Sequence, residues 1–295
     1  MIHIVHDFKD APWGGGNQFL KSLKKELIKK EAFSCLESSK YILFNSHQKV
    51  DSVRQIKKKY PNKKFIHRVD GPMRLYNNMS DTRDDIVYCS NKELADGTIF
   101  QSHFSYHSNM DLGMNFSSKH TIIPNFCDLD LFQVKQNIGQ NKKTRIISSS
   151  FSDNPKKGFG IYKFLDKNLN FNQYDYVFLG RSPVLFDHIQ HIGCLSTKDV
   201  AKQLYNSDIY ITASQNDPCS NSLIEAQAVG LPTIVLDSGG HPEIVNDNSE
   251  VFKDESDLLI KLQMVNNNLA DYFSKKSRVA PSDVTDRYID FIKTV

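Results

Sequence analysis

The sequence predicts an α/β protein with two parallel-sheet domains. Short apolar segments typical of buried strands alternate with helical segments in both halves of the 295-residue chain. A polar stretch that contains glycine, residues 136–144, separates the two series and is the predicted linker. We therefore place an N-terminal domain at residues 1–138 and a second domain at residues 139–279.

The N-terminal series begins with an apolar strand and a lysine-rich helix. In the helix, apolar side chains recur every three or four residues and most lysines lie on the other face. The predicted helices of this half are Asn17–Lys30 and Ser52–Lys59. Its strand or near-strand candidates are Met1–Val5, Tyr41–Asn45, Phe65–Val69, Ile86–Cys89, Thr98–Gln101 and Thr121–Ile123.

The second series ends in a strand–loop–helix–strand unit. Ser222–Glu225 reads S-L-I-E, a capping-box pattern that predicts a helix start, and Gly230 with Pro232 predicts its end. The predicted strands are Arg145–Ser150, Tyr176–Gly180, Ile209–Ala213 and Thr233–Leu236, and the other helices are Thr197–Asn206 and one from about Gly160.

The loop between Ile209–Ala213 and this helix is the strongest candidate site. In open α/β sheets, ligands bind beyond the carboxyl ends of the strands, where Asp217–Ser222 falls. Free backbone N–H groups at a helix start favour an anion such as a diphosphate. Asp217 and Glu225 bring two carboxylates eight residues apart to this place, although Glu225 could instead only complete the cap.

Composition restricts the class of protein. With 39% hydrophobic and 24% charged residues, the chain has an ordinary globular composition. Residues 1–138 hold 20 Lys and Arg against 15 Asp and Glu, a mildly basic balance. The five scattered cysteines predict a reducing compartment without structural zinc. Neither a secretion signal nor an apolar run long enough to span a membrane is evident, so we expect a cytoplasmic location.

The stretch from Asp217 to Glu243 resembles the signature of retaining glycosyltransferase family 4, which has the GT-B fold. That signature has two Glu eight residues apart, then A-x-x-x-G-L/K-P, a strand and G-G-x-x-E. Here residues 226–232 read A-Q-A-V-G-L-P and residues 239–243 read G-G-H-P-E. The first Glu is replaced by Asp217, whose side chain is one methylene shorter.

Weaker matches to the family occur in the expected order along the chain. They are the glycine loop Gly14-Gly15-Gly16, the His67–Pro72 segment, I-P-N-F-C-D at residues 123–128 and Lys157-Gly158. The resemblance implies two Rossmann-like, doubly wound domains that face a cleft, with residues 280–295 crossing back to the first domain.

The resemblance also implies roles for individual residues. Glu225 would receive the ribose hydroxyls of a nucleoside-diphosphate sugar, and Asp217 would contact the donor sugar. Lys157 and backbone groups around Ser220, Asn221, Ser222 and Leu223 would hold the diphosphate, and Gly14, Gly15 and Gly16 would reach toward it. His67 or Asp70 would meet the acceptor, unless His67 is a satisfied structural residue and Arg68 an ion-pair partner.

One cation of the family pattern is missing. Where the family has an Arg before Lys-Gly, this chain has Ser148-Ser149-Ser150. Negative charge develops on the diphosphate as the donor bond breaks, and fixed donors stabilise it. Serine hydroxyls, Lys156 or Arg181 are the candidates to replace the lost cation.

The resemblance implies a metal-independent enzyme. Asp128-Leu129-Asp130 resembles a D-x-D metal motif but lies in the I-P-N segment, and the pairs His103/His107 and His188/His191 lack a third ligand. We expect no cofactor besides a UDP- or GDP-linked donor sugar, and a glycan, lipid-linked or other hydroxyl acceptor of surface polysaccharide or glycoconjugate synthesis. Nucleic acid is not an expected partner. The basic balance of residues 1–138 is compatible with peripheral contact at the inner membrane face, although a plain solvated surface explains it more simply.

Three alternatives remain open from the sequence. A nucleotide-sugar epimerase on the same fold would act without an acceptor. A non-catalytic nucleotide-sugar-binding protein would fit the lost Arg and the shortened first acid. An NAD-dependent oxidoreductase is disfavoured because the G-x-G-x-x-G fingerprint is absent.

Overall fold

The computed structural model describes residues 1–9, 15–115, 119–137 and 143–295. Contacts divide the chain into two compact units. The first comprises Met1–Lys9, Gly16–Phe126 and Ala280–Val295, and the second consists mainly of Cys127–Val279. The predicted linker at residues 136–144 falls partly outside the described residues, at positions 138–142.

The first unit is built on a five-stranded parallel sheet. Its strands are β1 (Ile2–Val5), β2 (Tyr41–Asn45), β3 (Lys64–Val69), β4 (Gly97–Phe100) and β5 (Lys119–Ile122). Its helices are α1 (Gly15–Lys29), α2 (Val50–Lys59), α3 (Met73–Tyr76), α4 (Arg83–Leu94), α5 (His103–Asp111) and the C-terminal helix Pro281–Thr294. The strand order is β1-β2-β3-β4-β5, so the described strands of this sheet follow one direction without a reversal.

The predicted strand at Ile86–Cys89 is wrong, because these residues lie within helix α4. Their β-branched and aromatic side chains suggested a strand, but the buried positions of the helix follow a spacing of three and four. The buried residues are Asp84, Val87, Ser90, Asn91 and Leu94. Both oxygens of the Asp84 carboxylate accept hydrogen bonds from the first backbone N–H groups of α3, so burial of this acid orients α3.

The C-terminal helix completes the core of the first unit. Val284, Tyr288 and Ile292 on this helix pack into one cluster with residues of β1, β2, β3 and α1. A Cβ on Gly97 would lie 2.7 Å from a methyl carbon of Val295, so the approach of the chain end to β4 requires glycine there.

The second unit contains a six-stranded parallel sheet. Its strands are β6 (Thr144–Ser150), β7 (Tyr174–Gly180), β8 (Gln190–Ile192), β9 (Ile209–Thr212), β10 (Thr233–Leu236) and β11 (Ser249–Phe252). Its helices are α6 (Phe159–Asn168), α7 (Thr197–Tyr205), α8 (Asn221–Val229), α9 (His241–Ile244), α10 (Glu255–Asn267) and α11 (Leu269–Ser274), with a 3-10 turn at Pro155–Lys157. The predicted α/β class is therefore confirmed.

Apolar side chains cover both faces of this second sheet. Ile146 belongs to one hydrophobic cluster and its neighbour Ile147 to another. Phe178 and Leu179 on β7 divide in the same way. Because successive strand residues point to opposite faces, both faces are buried, as expected for a parallel sheet between helix layers.

The strand order of the second sheet reverses once. The order is β11-β10-β9-β6-β7-β8, so β7 and β8 are added on one side of β6 and β9 to β11 on the other. The chain segments that leave β6 and β9 therefore diverge at their carboxyl ends. This reversal is the place where open α/β sheets bind ligands.

None of the helices in the described ranges is long and apolar enough to cross a membrane.

Candidate functional site

Two oppositely charged side chains meet at the strand-order reversal of the second unit. Lys157 ends the 3-10 turn after β6, and Asp217 lies in the loop after β9. Lys157 Nζ donates a hydrogen bond to Asp217 Oδ2 over 3.0 Å, and each side chain is less than one-fifth exposed. Two predicted site residues, 60 positions apart, thus form one ion pair.

The ion pair determines the protonation state of Asp217. Burial alone would raise the pKa of its carboxyl, but the Lys157 ammonium outweighs burial and holds the pKa below its usual value. Cys219 N donates a further hydrogen bond to Asp217 Oδ1 over 3.3 Å. Asp217 is therefore an anchored carboxylate at neutral pH.

Backbone contacts hold the two loops against each other. Gln215 N donates to Lys156 O over 2.7 Å. Gly158 has φ +80, and a Cβ on it would lie 2.2 Å from Ala213 O, so only glycine fits this close approach. The Lys-Gly pair therefore has a structural role besides its charge, because Gly158 allows Lys157 to approach the loop after β9.

The glycine turn after β10 supports Asp217 from another side. Gly239 has φ +63, and a Cβ there would lie 2.5 Å from Asp217 O. Gly240 N donates to the same carbonyl over 2.8 Å, and Asn216 N donates to Ser238 Oγ over 3.1 Å. The position of Asp217 therefore depends on this turn.

Helix α8 begins two residues earlier than the capping-box pattern predicts. Asn221 is its first residue and Ser220 its N-cap, without a side-chain cap hydrogen bond. Ser220 Oγ and Ser222 Oγ lie 3.2 Å apart, and Leu223 is buried in the core. The capping-box interpretation of Ser222 and Glu225 is therefore wrong, because Glu225 is the fifth helical residue and lies too far from the cap.

Glu225 is a carboxyl group without a partner. Burial raises its pKa to about 8. Within the described residues, no hydrogen bond or ion pair reaches its carboxyl group. A partly exposed acid in this state can accept hydrogen bonds from a ligand, which would favour its charged form.

The serines that replace the family Arg are engaged within the protein. Ser148 Oγ donates to Ile211 O over 2.6 Å and contacts Tyr176 Oη at 2.7 Å. Ser150 Oγ donates to Ser152 O over 2.5 Å. Ser149 Oγ lies 3.4 Å from Tyr210 Oη. These hydroxyls serve the fold, so Lys156 and Arg181 are the candidates that remain for the replacement cation.

Arg181 and Lys156 differ in how they are held. Lys156 Nζ donates to Gln215 Oε1 over 3.4 Å. The Arg181 backbone N donates to Ser150 O over 2.7 Å, which fixes the end of β7 beside the end of β6. Its side chain is exposed and, in the described parts of the chain, its guanidinium has no ion pair or hydrogen bond.

The first unit has its own polar cluster at the carboxyl ends of its strands. Arg68 is completely buried and its guanidinium donates to Asp70 over 2.8 Å and to Asn125 over 2.6 Å. It also donates to Asn45 over 2.5 Å, and Gln101 donates to Asp70. The alternative that Arg68 is an ion-pair partner is confirmed, and the Asp70 side chain remains 22% exposed.

His67 is a structural residue. It has no exposed surface, and Asn91 Nδ2 donates to its Nδ1 over 3.1 Å while its Nε2 donates to Ser46 O over 2.9 Å. Its ring stacks on Phe44, with centroids 4.2 Å apart. Burial lowers its pKa to about 4, so the ring is neutral. Contrary to the prediction, its side chain cannot contact an acceptor in this structure.

The glycine loop is only partly described. Gly14 lies outside the described residues, whereas Gly15 and Gly16 open helix α1, which the sequence placed from Asn17. A Cβ on Gly16 would meet Asn45 Nδ2 at 3.9 Å, an ordinary contact. The donor-binding role of these glycines stays a prediction.

Comparison with known proteins gives a family match within the second unit. Residues 184–277, which include Asp217, Glu225 and the glycine turn, match the family model of glycosyl transferases group 1. Residues 184–277 are therefore similar to glycosyl transferases group 1. Spore coat protein SA of Bacillus subtilis is 34% identical over 62 residues, which cover 21% of this chain and 16% of that protein.

Solved structures extend the likeness to the whole chain. Anabaena HepE in complex with UDP and glucose superposes with a TM-score of 0.75 at 13% identity and covers 100% of this chain and 99% of its own. Sucrose-phosphate synthase from Thermosynechococcus elongatus gives a TM-score of 0.72 at 12% identity, covering 99% and 96%. The predicted GT-B fold is confirmed.

The sequence analysis missed two residues that lie within residues 184–277. Gln215 contacts Lys156 through both its backbone and its side chain, and its place directly after a strand was the available signal. His241 follows the Gly239-Gly240 turn and is completely buried. Its position directly after the glycine turn was the available signal, but the family motif G-G-x-x-E leaves the residue at this position unspecified.

No group of three or more His, Cys, Asp or Glu suited to a metal ion occurs in the described part of the chain. Asp128 and Asp130 form a local turn in which Asp130 N donates to Asp128 Oδ1 over 3.0 Å.

Proposed function

We propose that this protein is a retaining glycosyltransferase of family 4. It moves a sugar from a nucleoside-diphosphate sugar to a hydroxyl group of an acceptor. The observation that carries the proposal is the meeting of Lys157 and Asp217 at the strand-order reversal, beside the start of α8 and close in sequence to the unpartnered Glu225. A cation, an anchored acid and free helix N–H groups are what a diphosphate-linked sugar requires.

The donor binds mainly to the second unit in this proposal. Glu225 accepts hydrogen bonds from the ribose hydroxyls, and Asp217 accepts them from hydroxyls of the donor sugar. Lys157 and the backbone N–H groups near Ser220, Asn221 and Ser222 contact the diphosphate. The raised pKa of Glu225 supports its assignment, because a hydroxyl pair would supply the hydrogen bonds that its carboxylate lacks.

Arg181 takes the place of the missing Arg. Its guanidinium has no protein partner in the described parts of the chain, and its backbone is fixed beside Ser150 at the end of β6. The serines cannot serve, because their hydroxyls are engaged. We therefore propose that the Arg181 guanidinium supplies the second positive charge that stabilises the leaving diphosphate. Lys156 is an auxiliary cation, and no metal ion takes part.

The acceptor contacts Asp70 in the first unit. Arg68, Asn45 and Gln101 hold this carboxylate in one orientation, and it remains partly exposed. Such a fixed acceptor of hydrogen bonds suits a sugar hydroxyl. The basic balance of residues 1–138 supports a glycan or lipid-linked acceptor at an anionic membrane surface, as in surface polysaccharide or glycoconjugate synthesis.

A UDP- or GDP-linked sugar is the proposed donor. HepE has been solved with UDP-glucose, which makes this compound the first probe. Transfer with retention follows from the family resemblance: the acceptor attacks on the face from which the diphosphate leaves, because no nucleophile for a double displacement is evident beyond Asp217.

A thermal-shift panel without added metal tests the donor assignment. It compares UDP, GDP, ADP, CMP, their common sugar forms and NAD. We expect stabilisation by one nucleoside diphosphate and its sugar. Stabilisation by NAD alone, or by no nucleotide, would refute the proposal. Turnover is then measured by release of the nucleoside diphosphate with and without glycan acceptors.

A non-catalytic nucleotide-sugar-binding protein is the second candidate, favoured by the loss of the family Arg. It would bind donor without turnover, and Asp217→Asn would leave binding nearly intact. The matched pair Arg181→Met and Lys167→Met decides whether Arg181 restores the lost charge. A large decrease in kcat for the first variant alone supports catalysis.

A further inference from the structure

His241 is buried beside the proposed site, and one of its nitrogens has no partner. Its side chain has no exposed surface. Nδ1 lies 3.1 Å from Leu236 O, and because a carbonyl only accepts, Nδ1 carries the hydrogen. Nε2 is buried and, among the residues that the structure describes, has no hydrogen-bond partner. A buried, unsatisfied polar atom is unusual in a native protein and requires an explanation.

The backbone keeps His241 next to Asp217. His241 opens helix α9 directly after Gly240, whose N–H donates to Asp217 O over 2.8 Å. Gly239 packs so closely on the Asp217 backbone that a Cβ would not fit. His241 and Asp217 are therefore carried by segments that cannot move apart without breaking these contacts.

Asp217 and Lys157 are the charged groups that act on the imidazole. Burial lowers the pKa of His241, the Asp217 carboxylate opposes burial, and the Lys157 ammonium adds to it. Glu243, on the same helix as His241, is exposed. In this structure Lys157 satisfies Asp217, and the neutral imidazole is left with an unused lone pair.

A diphosphate that binds at Lys157 competes with Asp217 for the ammonium, which is the cation assigned above to the phosphates. The charge of Lys157 is then shared between the phosphates and the carboxylate. The buried Asp217 carboxylate loses part of its neutralising charge, which is unfavourable unless another donor replaces it. The two negative charges of the diphosphate also favour a cation nearby.

We propose that His241 is a positioning residue that becomes the partner of Asp217 when the donor occupies Lys157. A proton from water adds to Nε2, so the imidazolium donates from Nδ1 to Leu236 O and from Nε2 to Asp217. Asp217 thereby stays ionised and oriented toward the donor sugar. This inference rests on the proposed function, because it requires a diphosphate at Lys157.

Proton linkage tests the exchange of partners. UDP-glucose binding is measured by calorimetry at pH 7 in two buffers of different ionisation enthalpy, which gives the protons taken up on binding. We expect the wild type to take up about one proton more than His241→Gln, since glutamine cannot titrate. A structural role of His241 would change affinity or thermal stability without changing this difference.

Asp217→Asn provides the second variant, in case His241→Gln fails to fold. Without the carboxylate there is no charge to attract the proton, so its uptake should also fall by about one relative to wild type. Proton uptake equal to wild type in a variant that still binds UDP-glucose would overturn the inference. Failure of the wild type to bind any nucleotide sugar would instead refute the proposed function.

Kinetics give an independent readout. Loss of the partner of Asp217 should lower kcat more than it raises the donor KM, and the effect of His241→Gln should shrink at high pH, where the wild-type imidazolium loses its proton. A pH-independent effect of the substitution would contradict the proposal.

Discussion

Lys157 Nζ lies 3.0 Å from Asp217 Oδ2, so a carboxylate of the protein neutralises this cation. The pair joins the loops on the two sides of the strand-order reversal. A diphosphate must therefore compete with a carboxylate for the ammonium. This competition predicts that Lys157 contributes less to ground-state binding than to the step in which negative charge develops on the phosphates.

Lys157→Met should reduce kcat by about 100-fold or more, the range for losing one donor to a developing charge. The donor Kd should change by less than about tenfold. In the wild type the diphosphate must compete with Asp217 for the ammonium, and this competition is absent in the variant. Steady-state kinetics and calorimetry with UDP-glucose measure the two quantities. Lys167→Met, an exposed lysine of α6, is the control. A larger effect on Kd than on kcat would make Lys157 a ground-state binding residue.

Glu225→Gln should remove a pH-dependent part of donor affinity. In the free site the pKa of Glu225 is about 8, and ribose hydroxyls favour the carboxylate, so donor binding displaces a proton below that pH. The affinity ratio of wild type to Glu225→Gln should therefore rise with pH by up to about tenfold per unit and level off above pH 8. Calorimetry from pH 6 to 9 measures the ratio, and a constant ratio would contradict the ribose assignment.

Glu225→Ala should weaken donor binding by about 1–3 kcal/mol, the range for losing a charged hydrogen-bond partner. Binding of UDP-glucose at pH 8.5, where the wild-type acid is mostly ionised, gives the clearest comparison. An affinity equal to that of wild type would exclude Glu225 from the nucleotide site.

Gly239→Ala should displace Asp217 and weaken donor binding. The substitution places a Cβ 2.5 Å from Asp217 O at φ +63, so backbone strain and a steric clash coincide. We expect a loss of about 1–3 kcal/mol in unfolding free energy together with a lower donor affinity. Gly160→Ala is the matched control, because nothing lies within 4 Å of its Cβ and helix α6 favours alanine. Equal behaviour of the two variants would show that the turn does not position the site.

Arg68→Met should destabilise the first unit by about 2–4 kcal/mol, because it removes a buried cation and leaves its hydrogen-bonding partners unsatisfied. Asn45, Asp70 and Asn125 are the partners that lose a donor. Arg54→Met, which removes an exposed pair with Glu93, should cost less than about 1 kcal/mol. Urea unfolding of both variants measures the difference.

Much of the fold follows from local patterns in the sequence. The strand Tyr41–Asn45 has the predicted bounds, and most other strands differ by one or two residues at an end. Ile86–Cys89 shows where local preference fails. Its residues favour a strand, but the segment is helical in α4 because one face of that helix, which includes Asp84, is buried.

The site was only partly predictable. The sequence identified Lys157 and Asp217 separately, but their ion pair depends on β6 and β9 being neighbours, which is a property of the sheet order. Burial of His67 and the engagement of Ser148 and Ser150 likewise result from packing between distant segments. A motif gives residue types at a spacing, whereas solvent access and available lone pairs are decided by tertiary contacts.

The C-terminal helix has a consequence for how the chain is made. Gly97 on β4 packs against Val295. Val284, Tyr288 and Ile292 of the helix fill the core of a unit whose strands all precede it by more than 150 residues in the chain. During synthesis, Cys127–Val279 can collapse around its own sheet before Ala280–Val295 is made, so the apolar face that this segment covers stays open until then. A chaperone would need to shield that face in the meantime.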